Sequence, residues 1–529
     1  MTDASAKVLT DSGNAVVQDC AQEDSRRPVV TPPLATNLLI DIRAVFQRLF
    51  PLATKGGLAI LDQALFAGTN FIVNILLARW LTPTEYGAFA LAYSVFLLFG
   101  TFHTASLTEP MMVFGSGKYA GHFEQYLGIL VRGHFTLMLP GGLILVAAAF
   151  LLGRVYSTSV ERAFLGLALA APFILLLWLV RRAFYVRLQP GWAAAGGSLY
   201  LVLLLGFMGV LWAGQRLSPV TAFLGMGVGA LAVSVFLLFR FQPRRVAVGG
   251  VISLVLLLAL VYLLWLGSRP LPVITFLGMG AVALVVSVFL LLRLGPSWTA
   301  ERGNPSAAMV FADHWRYGRW SLATAGIGWL PSNVYYVLLP NWFGLEGAGA
   351  FRALMNLAMP VLHSIGALSG ILLPVLVRNR KKSGSHGMAK TMKSFLALFV
   401  AGSALYLILL WEFRSEAFQL LYAGKYKEYT FLPVLLVGLL PFGASATAVL
   451  GSGLRALERP DWLFWCYVGS GAVTLLLGIP LVAALGVSGG LLGLLFSYLV
   501  TAALMFWFYR RSPREQPAPG SEEPLPSKA

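Results

Sequence analysis

The chain has 529 residues, of which 58% are hydrophobic and only 12% are charged, and its formal net charge is +17. Soluble proteins carry about 25% charged residues, so this composition excludes an ordinary soluble domain. Many apolar runs close to 20 residues predict instead a polytopic, all-α membrane protein. The two cysteines, Cys20 and Cys466, exclude a disulfide framework.

The first 50 residues divide into two parts. Residues 1–35 are polar, contain three prolines and lack the pattern of a cleaved signal peptide, so we predict a disordered cytoplasmic tail. In residues 36–50 the apolar side chains fall on one helical face and the charged ones on the other. This pattern predicts a short interfacial helix that leads into the first membrane span.

The remainder of the chain predicts fourteen membrane spans. They lie near residues 56–80, 87–112, 126–152, 162–182, 193–214, 219–240, 248–267, 272–293, 320–341, 348–377, 391–412, 430–454, 461–485 and 488–509. Most of the 39 Lys and Arg residues then fall in the even-numbered loops and the two tails. Because positive charge is retained on the cytoplasmic side, both termini are predicted to be cytoplasmic.

The first span is unusually polar for a membrane helix. It contains Asp62, Asn70 and Asn74, with the two asparagines four residues apart on one face. Polar groups at membrane depth are costly unless they face a partner or water. The turn that follows carries Pro83 and Gly87, which break a helix and allow the chain to reverse. The first two spans therefore form a helical hairpin that is expected to line a wet space.

Two internal repeats set the domain organisation. Trp80 and Gly87 reappear at the same spacing as Trp342 and Gly349, and residues 201–241 match residues 254–294 without a gap. The second match indicates a duplicated helical hairpin, so removing one copy leaves six spans plus six. An even number of spans separates the two halves, which predicts two six-helix lobes related by a parallel pseudo-twofold axis, plus the duplicated hairpin.

The predicted boundaries follow from these repeats. The N-terminal lobe covers residues 51–241, the duplicated hairpin 242–294, a flexible cytoplasmic linker 295–317 and the C-terminal lobe 318–510. Residues 511–529 are rich in Pro, Glu and Ser and are predicted to form a second disordered cytoplasmic tail.

The segments LLARWLTPTEYGAFALA and LPNWFGLEGAGAFRALMNLAMPVLHSIGALSGILLPVLVR, together with the polar first helix, resemble the Wzx-type polysaccharide flippases of the multidrug/oligosaccharidyl-lipid/polysaccharide exporter superfamily. The resemblance covers residues 50 to 510. It implies two six-helix lobes around a central cavity and the transport of polyprenyl-diphosphate-linked sugars across a bacterial inner membrane by alternating access. The partners that it implies are the lipid-linked oligosaccharide, membrane lipids, and polysaccharide polymerase and chain-length machinery.

A lipid diphosphate needs cations in the cavity, and arginine suits phosphate because its guanidinium donates paired hydrogen bonds. The candidates for binding it are Arg132, His134, Arg352, Arg181 and Arg182. The first three lie inside predicted spans, where charged residues usually face a cavity. Snorkelling to headgroups is the alternative for these residues, and anchoring at the cytoplasmic face is the alternative for Arg181 and Arg182.

The candidates for ion coupling are Asp62, Asn70, Asn74 and Glu109. Asp62 could carry a proton, or it could bind Na⁺ together with the two asparagines. A hydrogen-bonded cluster between helices is the alternative interpretation.

Three other functions remain open at this stage. A cation-coupled multidrug exporter of the same superfamily predicts an acidic cavity around Asp62 and Glu109. A membrane-embedded polysaccharide polymerase or ligase predicts a large, charge-rich outer loop, and a scaffold derived from a transporter predicts sealed lobes without a cavity. The sequence contains no phosphate-binding GxxxxGK[ST] motif, no HExxH motif and no Cys/His cluster, so we expect neither an enzyme nor a metal or cofactor. The basic residues fall in alternate loops, which indicates membrane topology, so we expect no nucleic-acid partner despite the net charge.

Overall fold

The structure is a computed structural model that describes residues 57–58, 60–241, 305–457 and 459–512. The predicted N-terminal tail, the interfacial helix and the duplicated hairpin lie outside the described residues. The first part of the predicted linker and nearly all of the predicted C-terminal tail do so as well.

The N half consists of six long helices. These are α1 (Ile60–Trp80), α2 (Pro83–Ser116), α3 (Phe123–Val155), α4 (Thr158–Val186), α5 (Pro190–Ala213) and α6 (Pro219–Leu238). At one end of the N half, short turns join the helices, and a hydroxyl side chain caps the start of each following helix. Thr82 and Glu85 form a reciprocal capping box at α2, Ser157 accepts from a backbone N–H at α4, and Ser218 does so at α6.

The C half contains α7 (Ala307–Asn333), α8 (Tyr335–Glu412), α9 (Arg414–Tyr422), α10 (Leu432–Ala456), α11 (Pro460–Val473) and α12 (Ile479–Arg511). A straight helix as long as α8 would measure about 117 Å at 1.5 Å per residue. Gly344 and Gly384 interrupt it with φ values of 64° and 59°, which glycine adopts without steric cost. We name the three pieces α8a (335–343), α8b (345–382) and α8c (385–412).

The chain reverses at these glycines, as side-chain contacts across each break show. The rings of Tyr336 and Phe351 lie 5.1 Å apart across Gly344. Across Gly384, Asn379 donates a hydrogen bond to Thr391 at 2.8 Å. A third glycine, Gly486 (φ 57°), divides α12 in the same way.

Ten helices of the described residues are long and apolar enough to span a membrane. Two of them, Ser321–Arg380 and Asp461–Arg511, contain one of these reversals each. The described residues therefore make twelve passes, and each agrees within a few residues with one of the predicted spans. The two remaining predicted spans, 248–267 and 272–293, fall outside the described residues.

One prediction needs correction. The segment 295–317 was expected to be a flexible linker, yet residues 307–317 belong to helix α7. Ser306 accepts a hydrogen bond from Met309 N–H and starts the helix, and buried Val310 faces the protein core. The polarity of this stretch reflects Asp313 and His314, which are buried against the N half rather than exposed to solvent.

The passes turn at two opposite ends of the molecule. We name them the Trp80 end, which includes Trp80, Gly344 and Gly486, and the Lys118 end, which includes Lys118 and Gly384. The buried apolar core of the N half continues into the C half at the Trp80 end, for example through Phe351, Val437 and Leu491. At the Lys118 end, separate cores in the C half form around Leu372, Met388 and Leu463.

The two halves cross at a pair of repeated glycines. Beside Gly87 on α2 lies the carbonyl oxygen of Leu345, and beside Gly349 on α8b lies the carbonyl oxygen of Pro83. The repeat offset relates Gly87 to Gly349 and Pro83 to Leu345, so each half presents the same contact to the other. At the equivalent positions Thr84 and Glu346, the threonine hydroxyl donates to the carboxylate at 3.1 Å. Such reciprocal contacts are what a twofold axis along the bundle generates.

Candidate functional site

The helices at the junction between the halves are more deeply buried near the Trp80 end than toward the Lys118 end. On α1, residues 73–75 are buried, whereas Leu61 and Gln63 are exposed. On α8b, residues 350–358 are buried, whereas residues 366–368 are exposed. Both helices thus lose their burial in the same direction. The helices α1 and α8b are therefore packed more tightly at the Trp80 end than toward the Lys118 end.

Arg352 lies at the closed part of this junction. Its side chain is 5% exposed, and its Nε donates a hydrogen bond to Oδ1 of Asn74 in the N half at 3.1 Å. Its guanidinium lies 4.7 Å from the centre of the Tyr93 ring and within 3.5 Å of the Tyr336 hydroxyl. These described partners are all uncharged. A buried cation with uncharged partners is costly, and such groups in membrane proteins usually serve a function.

The helical face of α8b that contains Arg352 also carries polar side chains nearer the Lys118 end. Arg352, Asn356 and His363 are spaced by four and seven residues and so share a helical face. Asn356 donates a hydrogen bond to the Tyr86 hydroxyl at 2.8 Å and extends the closed junction. His363, about two turns further on, is exposed. Arg352 therefore lies at the buried end of a helical face of α8b that becomes exposed toward the Lys118 end.

Further contacts hold the Trp80 end together. The Arg79 guanidinium donates to the Leu420 carbonyl, and Lys425 Nζ donates to the carbonyls of Arg79 and Leu81 at 2.7 and 2.6 Å. Tyr156 donates to Asn341 at 2.8 Å. Beside these contacts lies a polar cleft of about 680 Å³. Its lining includes Arg79, Ser415, Glu416, Gln419, Lys427 and Thr430.

Asp62 is fully buried in an ion pair inside the N half. Its Oδ1 accepts from Arg181 at 2.6 Å, and its Oδ2 accepts from the Tyr185 hydroxyl at 2.6 Å. Arg181 also stacks over the Phe66 ring, with 4.2 Å between its guanidinium carbon and the ring centre. In this conformation both carboxylate oxygens of Asp62 are occupied. The structure thus joins a predicted coupling residue to a predicted phosphate-binding residue.

Asn70 and Asn74 are not hydrogen-bond partners of Asp62, and their side chains face different surroundings. Asn74 faces Arg352 and donates to the Asn70 backbone carbonyl at 2.8 Å. Asn70 lines a small cavity of about 10 Å³ within the N half, enclosed by aromatic side chains that include Tyr93, Trp178 and Tyr200. A cavity of this size holds about one water molecule.

The other predicted residues occupy separate places. Arg132 is partly buried on α3, Arg182 is exposed near the end of α4, and Glu109 is exposed on α2. His134 is fully buried inside the N half, where it contacts His103 rather than the space between the halves. The structure brings Asn74 to Arg352 and Asp62 to Arg181, and it does not bring Glu109 to Asp62.

The sequence did not predict a hydrogen-bonded cluster of polar side chains at the Lys118 end. Asp313 on α7 accepts from Lys118 Nζ and from the Tyr119 hydroxyl, both at 2.6 Å. The ammonium of Lys118, and next the Tyr119 hydroxyl, lower the pKa of the Asp313 carboxyl. Burial beside this carboxylate raises the pKa of Tyr119 above its ordinary value. The signal in the sequence was Asp313 and His314, which directly follow the apolar run of residues 307–312.

His314 completes this cluster. Its Nδ1–H donates to the Ser106 carbonyl at 3.0 Å, and its Nε2 accepts from the Tyr126 hydroxyl at 2.7 Å. Burial lowers its pKa. The N-terminal part of α7, which carries Asp313 and His314, therefore packs against the N half, although α7 is the first helix of the C half. Among the residues that the structure describes, no group of three or more His, Cys, Asp or Glu side chains could hold a metal ion.

Comparisons with known proteins identify the fold. No protein-family model and no curated protein matches the sequence. An inward-facing multidrug resistance MATE family transporter of the MOP superfamily matches 85% of this chain and 97% of its own, at 14% identity and a TM-score of 0.61. An outward-facing MATE transporter matches 87% and 95%, at 12% identity and a TM-score of 0.55. The lipid II flippase MurJ, in an inward closed conformation, matches 87% and 88%, at 11% identity and a TM-score of 0.60.

The chain therefore has the membrane-transporter fold of the MOP superfamily, the multidrug/oligosaccharidyl-lipid/polysaccharide exporters. The matched structures are transporters and a flippase rather than enzymes.

Proposed function

We propose that this protein is an alternating-access flippase that moves a polyprenyl-diphosphate-linked oligosaccharide outward across a bacterial inner membrane. The observation that carries the proposal is the charge of the junction between the halves. Its buried cation, Arg352, has uncharged partners, whereas the buried carboxylate Asp62 is neutralised by Arg181. The junction between the halves thus favours an anionic cargo.

We assign the Trp80 end to the outside and the Lys118 end to the cytoplasm, following the predicted positive-inside orientation. In this proposal the tightly packed Trp80 end is the closed outer end, and the space between the halves is reached from the cytoplasm. The diphosphate enters from the cytoplasmic leaflet, where Arg182 and the partly buried Arg132 are the first cations that it meets. Its sugars occupy the space between the halves while the lipid tail remains in the bilayer.

Arg352 then links binding to opening. A diphosphate at the end of the cavity accepts the guanidinium hydrogen bonds more strongly than the amide oxygen of Asn74 does, because both partners are charged. Drawing Arg352 away from Asn74 removes a bond that joins the halves at the outer end. A cargo that binds the open state better than the closed one shifts the equilibrium toward opening. The membrane potential assists, at about 2.3 kcal/mol per 100 mV for each negative charge moved outward.

A cation-coupled multidrug exporter is the alternative within this fold. It requires an accessible acidic cavity, but Asp62 has both oxygens occupied and Glu109 lies apart from it. A role of Asp62 in ion coupling therefore requires that Arg181 release it in another conformation. The proposal that Asp62, Asn70 and Asn74 together bind Na⁺ meets the same requirement, because Asn74 is engaged by Arg352.

The test is the pool of lipid-linked oligosaccharide in cells that lack the protein or carry Arg352→Gln. We expect undecorated precursor to accumulate on the cytoplasmic face in both cases. Arg455→Gln, which removes an exposed arginine at the cytoplasmic end, is the matched control and should restore the normal pool. An unchanged pool in cells without the protein, accompanied by sensitivity to small cationic compounds, would favour the exporter.

A further inference from the structure

Two buried histidines form a pair inside the N half, away from the junction. His103 lies on α2 and His134 on α3, and neither is exposed. His103 Nε2 lies 2.9 Å from His134 Nδ1, with the two rings nearly perpendicular at 86°. On its other side, His134 Nε2 lies 2.8 Å from the carbonyl oxygen of Pro172 on α4.

These contacts fix where the protons lie. A carbonyl oxygen can only accept, so His134 carries its proton on Nε2 and donates to Pro172. Its Nδ1 then has a lone pair, which accepts the Nε2–H of His103. One ring position remains, Nδ1 of His103, and no donor among the described residues reaches it. In the neutral pair this atom carries a buried, unused lone pair.

The backbone beside His103 is irregular. Residues Thr104–Thr108 form a π-helical turn that begins directly after it, and such turns occur frequently at functional sites. The buried hydroxyl of Thr108, about one turn nearer the cytoplasm, is also without a partner among the described residues. Buried polar atoms are almost always hydrogen-bonded. Two such atoms, one directly before the π turn and one on its last residue, therefore point to a ligand.

We propose that the His103–His134 pair is a proton-binding site and that this proton couples transport to the proton gradient. The proton adds to the Nδ1 lone pair of His103 and leaves from the same atom, so a single N–H bond forms and breaks. His103 then becomes an imidazolium and still donates its Nε2–H to neutral His134. The coupling role rests on the proposed alternating-access function, whereas the binding site itself does not.

Among the described residues, no carboxylate forms an ion pair with either histidine. On α3 the ionisable residue Arg132 lies two positions before His134, and α4 contributes the carbonyl of Pro172. On α7, His314 donates to the carbonyl of Ser106, which lies three positions after His103. On α2 itself, Glu109 is exposed. A positive charge on His103 is therefore uncompensated in this conformation, which disfavours it. Protonation consequently drives the protein away from the state that is closed outside.

The test measures the distance between spin labels across the outer end, with no substrate present. Labels are placed at Ala213→Cys and Leu485→Cys, both exposed at outer turns of opposite halves, in a Cys20→Ser, Cys466→Ala background. Double electron–electron resonance measures the distance between the labels in nanodisc-embedded protein at pH 8 and at pH 5. We expect the population with the longer outer distance to rise at least tenfold at pH 5. In His103→Gln the pH 8 distribution should be retained at both pH values.

Two other histidine variants are the controls. His122→Gln changes an exposed histidine near the cytoplasmic end, and His314→Gln changes the buried histidine of α7; both should retain the shift. A shift that persists in His103→Gln, or a parent that does not shift, overturns the proposal. If His103→Gln does not fold, ¹⁵N spectra of the histidine rings in the parent decide. A spectrum at pH 5 in which His103 Nδ1 is protonated and the bond to His134 is retained supports the site. Spectra in which both buried rings stay neutral down to pH 5 refute the proton-binding site. Neither result depends on the cargo, so it leaves the flippase proposal standing.

Discussion

Replacing Gly87 by alanine should open the outer end of the protein. A Cβ at this position would overlap the carbonyl oxygen of Leu345, which is backbone and cannot rotate away. The repeat-related change, Gly349→Ala, would place a Cβ 2.6 Å from the Pro83 carbonyl oxygen, where about 3.3 Å is the usual limit. Either alanine separates α2 from α8b, and Gly87→Ala should do so more strongly.

The size of the effect follows from the bonds that this separation breaks. The Arg352–Asn74 bond involves a charged donor and contributes about 1.5 to 3 kcal/mol, and the Asn356–Tyr86 bond contributes roughly 1 kcal/mol. Their loss, roughly 2 to 4 kcal/mol, corresponds to a change of about 30- to 1,000-fold in the ratio of open to closed protein.

The assay is the outer distance between labels at Ala213→Cys and Leu485→Cys. Gly87→Ala should give the longer distance at pH 8, without acidification. Gly206→Ala is the control, because a Cβ at Gly206 meets nothing within 4 Å. A distribution for Gly87→Ala that equals the parent would refute the inference that the glycine crossing closes the outer end.

Three further changes test other parts of the structure. Asp62→Ala leaves Arg181 buried without its partner and should destabilise the protein by about 3 to 5 kcal/mol, measured by denaturation in detergent, whereas the double change with Arg181→Met should recover most of that loss. Asp313 has a lowered pKa in the folded protein, so its contribution is complete above the unfolded pKa of about 3.9 and is lost as the pH falls through the folded value. A pH series of melting temperatures should therefore show a drop below about pH 4 that is smaller in Asp313→Asn; an equal drop in the variant contradicts this origin. Burial likewise lowers the pKa of His314, so the unfolded chain binds a proton first and stability should decline as the pH falls below about 6.5. His314→Gln should make that decline smaller by the contribution of one histidine, and a decline of unchanged size would contradict the contribution of His314.

The sequence predicted those features that depend on local pattern. Apolar runs located all twelve passes of the described residues within a few positions, because each pass must cross the same thickness of hydrocarbon. The repeated tryptophan–glycine spacing anticipated the relation between the halves, although not that Gly87 and Gly349 form the crossing.

Pairings between distant residues could not be predicted in the same way. Asp62 and Arg181 are 119 residues apart, and Tyr119 and Asp313 are 194 apart. No periodicity in one helix indicates which neighbour will face it. The polarity of residues 307–317 was interpreted as a linker for the same reason, since buried polar groups resemble solvated ones until their partners are known.

Translocation by the purified protein tests the central proposal most directly. Proteoliposomes would contain a polyprenyl-diphosphate-linked oligosaccharide in one leaflet, and its sugar would be detected in the other leaflet with an impermeant lectin. We predict transfer that depends on the protein, falls at least tenfold in Arg352→Gln and is retained in Arg455→Gln. Absence of transfer by a protein that instead moves a small organic cation under the same conditions would contradict the proposal.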